Sequence, residues 1–197
     1  MLNNGTPICS VYVALLHHSM RDKRGTIVTT AVTNLDIHDI ARSARTFGAK
    51  GYYLVNPLEE QQAVVKRIIG HWQTGGGREY NPDRSEAFSL LKLSSWLKDA
   101  VEDIEKQHGI KPLVITTSAR RVEGLQWWTT EKLRKELPGL GKPILLVFGT
   151  GWGIADDIMQ SADIVLEPIV PADESGYNHL SVRSAVAIYL DRLLGAR

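Results

Sequence analysis

His38, Arg42 and Arg45 are spaced by four and three residues, which places them on one face if the segment is helical. Ile37, Ile40, Ala44 and Phe47 supply the opposite, apolar face. A guanidinium group offers a rigid fork of donors that suits phosphate oxygens, so the stripe is a candidate for an anionic ligand. The first fifty residues hold six basic groups (Arg21, Lys23, Arg24, Arg42, Arg45, Lys50) against three acids (Asp22, Asp36, Asp39), a local net of +3 in a chain whose total is +1. A basic region confined in this way fits an RNA-facing patch. The plainer alternative is a solvated face paired to nearby acids.

Three later segments could also do chemistry. Gly149-Thr150-Gly151-Trp152-Gly153 follows the apolar run Ile144–Phe148. Alternating glycines allow close backbone approach and positive φ, and ligands of α/β sheets bind beyond the carboxyl ends of strands. The spacing is not the dinucleotide fingerprint, and no Gly-Lys-Ser/Thr follows to make a P-loop. Thr116-Thr117-Ser118-Ala119 ends another run with small side chains and leads into Arg120 and Arg121. Tyr177-Asn178-His179-Leu180-Ser181-Val182-Arg183-Ser184 leads into a final helix, where Asn178, Ser181 or Ser184 could cap. His17-His18 has no third ligand at convincing spacing, so no metal site is expected. Trp127-Trp128 could stack on a base or lie in an interface.

These segments need elements to hold them. Apolar runs at 10–16, 51–55, 113–117, 144–148 and 164–166 alternate with helical patterns, and several are apolar without a break. Strands buried on both faces of a parallel sheet have this pattern. Helices are expected at 36–47 with Asp36 as N-cap and Gly48 as stop, at 57–72, within 85–107 beside a possible strand at 89–93, at 130–137, at 154–161 and at 180–194. The last is apolar around nearly its whole circumference, which predicts packing against its own sheet and a second subunit. Gly75 to Asp83 is the candidate mobile loop.

The chain has 197 residues, 43% of them hydrophobic and 23% charged. One globular domain spanning 1–197 is expected, and a disordered tail protein or a highly charged histone-type binder is excluded. Cys9 is the only cysteine, so an intrachain disulfide is impossible and a reducing, cytoplasmic setting is expected. The apolar run from Ile8 to Leu16 is too short to span a bilayer and lacks a basic start, so neither a membrane nor a secretory segment is expected.

Taken in order, three motifs resemble the SpoU–TrmD (SPOUT) superfamily of S-adenosylmethionine-dependent RNA methyltransferases. They are Thr33–Arg42 through Phe47-Gly48, Leu145–Gly153, and Tyr177–Ala185. More narrowly, the chain is similar to stand-alone bacterial members described as SAM-dependent RNA methyltransferases. The resemblance implies an α/β, parallel-sheet fold whose C-terminal part is tied in a deep trefoil knot, a feature nearly absent from other proteins. It implies a cleft for S-adenosylmethionine formed by Thr117, Ser118 and Ala119, by Gly149, Thr150, Gly151, Trp152 and Gly153, and by Glu167, Pro168, Tyr177, Asn178, His179 and Leu180. It also implies a homodimer acting on tRNA or rRNA.

The superfamily's first motif has an arginine six residues before a glycine, and Arg42 and Gly48 match it. Arg42 is therefore the candidate catalytic or RNA-phosphate residue, with His38, Arg45, Arg120 and Arg121 as further RNA contacts. Where the SpoU pattern has an asparagine, this chain has Asp36. The acceptor, a ribose 2′-hydroxyl or a base nitrogen, stays open. The sulfonium donor is already activated, so the protein mainly positions and desolvates. His38 and His179 are the candidate proton acceptors. The alternative is a knotted RNA-binding or ribosome-associated module without transfer activity.

Overall fold

Val11, Val13 and Leu15 point to one side of the strand Val11–Leu16 and Tyr12, Ala14 and Leu16 to the other, each set within its own apolar cluster. The same alternation divides Ile144, Leu146 and Phe148 from Leu145 and Val147. Period-two alternation with both sides apolar belongs to a sheet covered on both faces. The computed structural model describes residues 2–3, 6–7, 9–172 and 176–196, so Ile8 and residues 173–175 of the last expected loop lie outside the described residues.

Its main sheet has seven strands: β1 (Val11–Leu16), β2 (Gly51–Val55), β3 (Leu91–Ser94), β4 (Leu113–Thr117), β5 (Trp127–Trp128), β6 (Ile144–Gly149) and β7 (Ile164–Leu166). They lie in the order β3-β2-β1-β6-β4-β7-β5, and every pairing is parallel. β7 enters between β4 and β5, two strands that precede it in the chain. Trp127-Trp128 is thus an edge strand rather than an exposed loop pair. Its two residues pair with Val165 and Leu166.

Helices α1 (Asn34–Thr46), α2 (Glu59–Gln73), α3 (Gly76–Tyr80), α4 (Pro82–Phe88), α5 (Leu97–His108), α6 (Thr130–Glu136), α7 (Asp156–Gln160) and α8 (Val182–Leu194) complete the α/β architecture. Thr33, not Asp36, caps α1: its hydroxyl accepts from the Asp36 N–H and donates to the Asp36 carboxylate at 2.6 Å. A threonine and an acid three residues apart share the cap, and the acid alone drew the sequence-based assignment. The segment 75–83 is not an open loop. Gly75 ends α2's exit, α3 follows at once, and Asn81 caps α4 by accepting from the Arg84 N–H. Three glycines mask a short helix because propensity is a weak prior against packing.

Part of the apolar circumference of α8 is covered within the chain. Val186, Tyr189, Leu190 and Leu193 are buried, and α8 packs on α1, α6 and β6. Val182, Ala185, Ile188 and Leu194 of the same helix stay half-buried.

Candidate functional site

β4, β6 and β7 are neighbours in the sheet, so the loops that leave their carboxyl ends emerge side by side. The loop after β4 meets the loop after β7 twice. Asn178 donates from Nδ2 to the carbonyl of Ala119 at 3.3 Å, and Arg121 pairs with Glu167 at 2.7 Å. Arg120 reaches Asp156, at the start of α7, at 3.3 Å. The Glu167 carbonyl accepts from the Tyr189 hydroxyl at 2.6 Å, which ties the post-β7 loop to α8. Burial pushes the Tyr189 hydroxyl up to about 12, so it stays a donor.

The turn after β6 is built by glycines for two separate reasons. A Cβ on Gly149 would lie 2.5 Å from Ile154 Cγ1 and 3.1 Å from Met20 Sδ, so no side chain fits. Gly151 and Gly153 have φ of 59° and 103°, which L side chains rarely adopt. Space outside Gly153 is open: a Cβ there meets nothing within 4 Å. The side chain of Thr150 is spent inward, donating to the Leu16 carbonyl at 3.2 Å and lying 2.5 Å from the Thr30 hydroxyl. Trp152, which is exposed, is the turn's outward side chain.

One element under this turn was not legible beforehand. The chain between β1 and α1 forms a short antiparallel ribbon in which Met20 pairs with Val28 and Arg21 with Ile27. Arg21 donates its N–H to the Gly153 carbonyl, accepts from the Trp152 N–H, and pairs with Asp156 at 2.6 Å. Two-residue strands leave no periodicity to read. Only the Asp22–Gly25 turn signals them, with Gly25 at φ 85°.

The remaining expected residues are placed as follows. Thr117 is buried and donates to the Val147 carbonyl at 3.1 Å, while the Ser118 hydroxyl closes a turn with Arg120. Pro168 is half-buried. Tyr177, His179 and Leu180 are exposed, with the Tyr177 and His179 rings 5.2 Å apart. The α1 stripe is divided. Arg42 is exposed and makes no ion pair among the described residues. Arg45 is committed to Glu86 of α4. His38 is half-buried between the rings of Phe88, at 4.7 Å, and Trp72, at 5.3 Å. Burial, then the Arg84 guanidinium, pull its pKa down. Arg120 and Arg121 lie in the post-β4 loop and do not join the stripe.

The three loops carry small side chains, the open side of Gly153, and the exposed Trp152, Tyr177 and Leu180. Among the described residues no group of three His, Cys, Asp or Glu could hold a metal ion. No helix there is long and apolar enough to cross a membrane.

The comparisons agree with this fold. Residues 10–195 match the family model described as SAM-dependent RNA methyltransferase. An uncharacterised protein of Aquifex aeolicus is 44% identical over 184 residues, which is 93% of this chain and 88% of that protein. A tRNA (guanine-N(1)-)-methyltransferase of Oleidesulfovibrio alaskensis is 42% identical over 94% of this chain, yet the chain spans only 42% of that relative's length. The solved SpoU methyltransferase AviRb from Streptomyces viridochromogenes superposes with a TM-score of 0.56 at 14% identity, over 96% of this chain and 60% of that one. At that identity it speaks for the fold. The family match, the fold and the three converging loops lead to one conclusion: the chain belongs to the SAM-dependent RNA methyltransferase family.

Proposed function

We propose that this chain methylates a tRNA nucleotide, at a ribose 2′-hydroxyl or a base nitrogen, with the donor held by Thr117–Ala119, Gly149–Gly153, Glu167–Pro168 and Tyr177–Leu180. The observation that carries the reading is the meeting of the post-β4 and post-β7 loops through Asn178–Ala119 and Arg121–Glu167. The matched tRNA methyltransferases of O. alaskensis and Nitratidesulfovibrio vulgaris favour tRNA over rRNA, although the chain spans 42% and 44% of their lengths. The strand order supports a threaded, knotted C-terminal part, because β7 is inserted between β4 and β5.

S-Adenosylmethionine supplies a methyl group on a positively charged sulfur. The chain's part is to position and to exclude water. The inward bonds of Thr150 and Thr117 stiffen the walls, and the glycine turn brings backbone close to the ligand. Arg42, exposed and free of an ion pair, holds an RNA phosphate or stabilises negative charge developing on the acceptor. His179 lies on the cleft loop and is the better placed of the two candidate proton acceptors, since His38 is packed among rings. Exposed Leu35, Val170, Tyr177 and Leu180 support a homodimer closed around this edge.

Calorimetry with S-adenosylhomocysteine, NAD and ATP tests the pocket: the first is expected to bind and the other two are not. Transfer of labelled methyl groups to tRNA from a strain lacking the protein tests the reaction. Binding without repeated turnover would leave a non-catalytic RNA-binding module.

A further inference from the structure

Gly149, Leu16, Val55 and Ser94 form one row across β6, β1, β2 and β3, each paired with the next. Gly151, His18 and Trp96 each lie two residues beyond that row. The rim that carries the glycine turn therefore continues across β1 and β2 to β3, with neighbouring strands about 4.8 Å apart. On this rim the His18 and Trp96 rings meet edge to face, with centroids 5.4 Å apart. Trp96 leaves 45% of its surface exposed. The Thr29 hydroxyl, 2.8 Å from His18 Nδ1, fixes the imidazole.

Cations that make no ion pair among the described residues lie on the same elements. Lys98 is exposed in the first turn of α5, two residues after Trp96, where the helix dipole disfavours a positive charge. Lys23 and Arg24 are exposed on the ribbon turn that follows His18. An exposed indole beside an anchored imidazole, with cations on the elements that carry them, matches what single-stranded nucleic acid needs: a π face for a base and charges for its backbone.

We propose that His18 and Trp96 form a subsite for an unpaired RNA base flanking the methylated nucleotide, with His18 one strand and Trp96 three strands over from the donor turn. The subsite rests on the methyltransferase reading, because it presumes that the acceptor lies at Gly149–Gly153. Nothing in the family match or the named relatives assigns it.

The test compares wild type, Trp96→Ala, Trp96→Phe and His18→Ala by fluorescence anisotropy. The probes are a labelled RNA hairpin with an unpaired loop and a blunt RNA duplex of equal length. Trp96→Ala is expected to weaken hairpin binding by about 5- to 150-fold, the range for losing one stacked base. Duplex binding and S-adenosylhomocysteine affinity stay within twofold. Trp96→Phe recovers part of the loss, and His18→Ala weakens the hairpin less than Trp96→Ala. The salt dependence of hairpin binding keeps its slope in Trp96→Ala, since no charge is removed.

Hairpin affinity within twofold of wild type in Trp96→Ala, or an equal loss on the duplex, overturns the subsite. If wild type also transfers methyl groups, only the subsite falls. A wild type that binds the methyl donor product but no RNA overturns both the subsite and the RNA substrate.

Discussion

Arg183, in the first turn of α8, places Nη1 3.3 Å from Oδ1 of Asp36, in the first turn of α1, and its Nε 3.3 Å from Oδ2 of Asp39. The pair joins the helix that follows the candidate donor loop to the helix that carries Arg42. An arginine at a helix N-terminus opposes the helix dipole, and the two α1 carboxylates offset that. The Asp36 side chain is 9% exposed and that of Arg183 34%. Arg183→Met leaves Asp36 nearly buried with only Thr33 as partner. We expect a loss of about 2 kcal/mol, below the 3–5 of a fully buried pair because Arg183 is partly wet. Urea unfolding measures it. Asp36→Asn in the same background should cost little more, and full additivity would show that the pair is not coupled.

The glycine turn separates packing from binding. Gly149→Ala drives a methyl into Ile154 and Met20, and overpacking of this kind costs about 1–3 kcal/mol. Gly153→Ala meets no neighbour and costs only the strain of its positive φ, about 1 kcal/mol. It projects into the space assigned to the donor. Its S-adenosylhomocysteine affinity should therefore fall by roughly tenfold or more, about 1.4 kcal/mol, while its stability falls less than that of Gly149→Ala. Unchanged calorimetric affinity in Gly153→Ala would move the donor site away from this turn.

His17 gives stability a pH dependence. It is fully buried at the end of β1 with Nδ1 3.0 Å from the Thr30 hydroxyl, and its Nε2 has no partner. Burial lowers its pKa from 6.5 to about 4, against a smaller opposing pull from Asp36. The unfolded histidine takes up its proton near 6.5 and the folded one near 4. Between those values the unfolded state binds more protons, so stability falls as the pH drops through that window. The loss approaches roughly 3 kcal/mol at the lower end. His17→Asn does not titrate, so the difference between its stability–pH curve and that of wild type isolates this effect. Parallel curves from pH 7 to pH 4.5 would show that His17 does not stay neutral.

Arg42 and Arg45 should behave differently although they share one helix. Arg42→Ala is expected to leave S-adenosylhomocysteine binding unchanged and to lower methyl transfer by roughly 100-fold, the scale of losing one charge-stabilising donor. Arg45→Ala removes an exposed ion pair with Glu86, which is worth under about 1 kcal/mol in stability. It should transfer methyl groups at close to the wild-type rate. A fully active Arg42→Ala protein would remove Arg42 from the reaction.

The strands and long helices were legible because burial on both faces writes continuous apolar runs and helical spacing into the chain. The runs at 10–16, 51–55, 113–117, 144–148 and 164–166 are β1, β2, β4, β6 and β7. The three motifs likewise identified the family, since the residue types around Arg42, the glycine turn and Asn178 are local in sequence. Other features are not local. Arg21 and Asp156 are 135 positions apart and Arg183 and Asp36 147, so no window of sequence contains either pair. The insertion of β7 between β4 and β5, the division of the α1 stripe among Phe88, Glu86 and solvent, and the burial of Val186, Tyr189, Leu190 and Leu193 of α8 within the chain were decided by tertiary packing. Local patterning states which face of an element is apolar. Only the packed chain states which other element covers that face and which charges are left free.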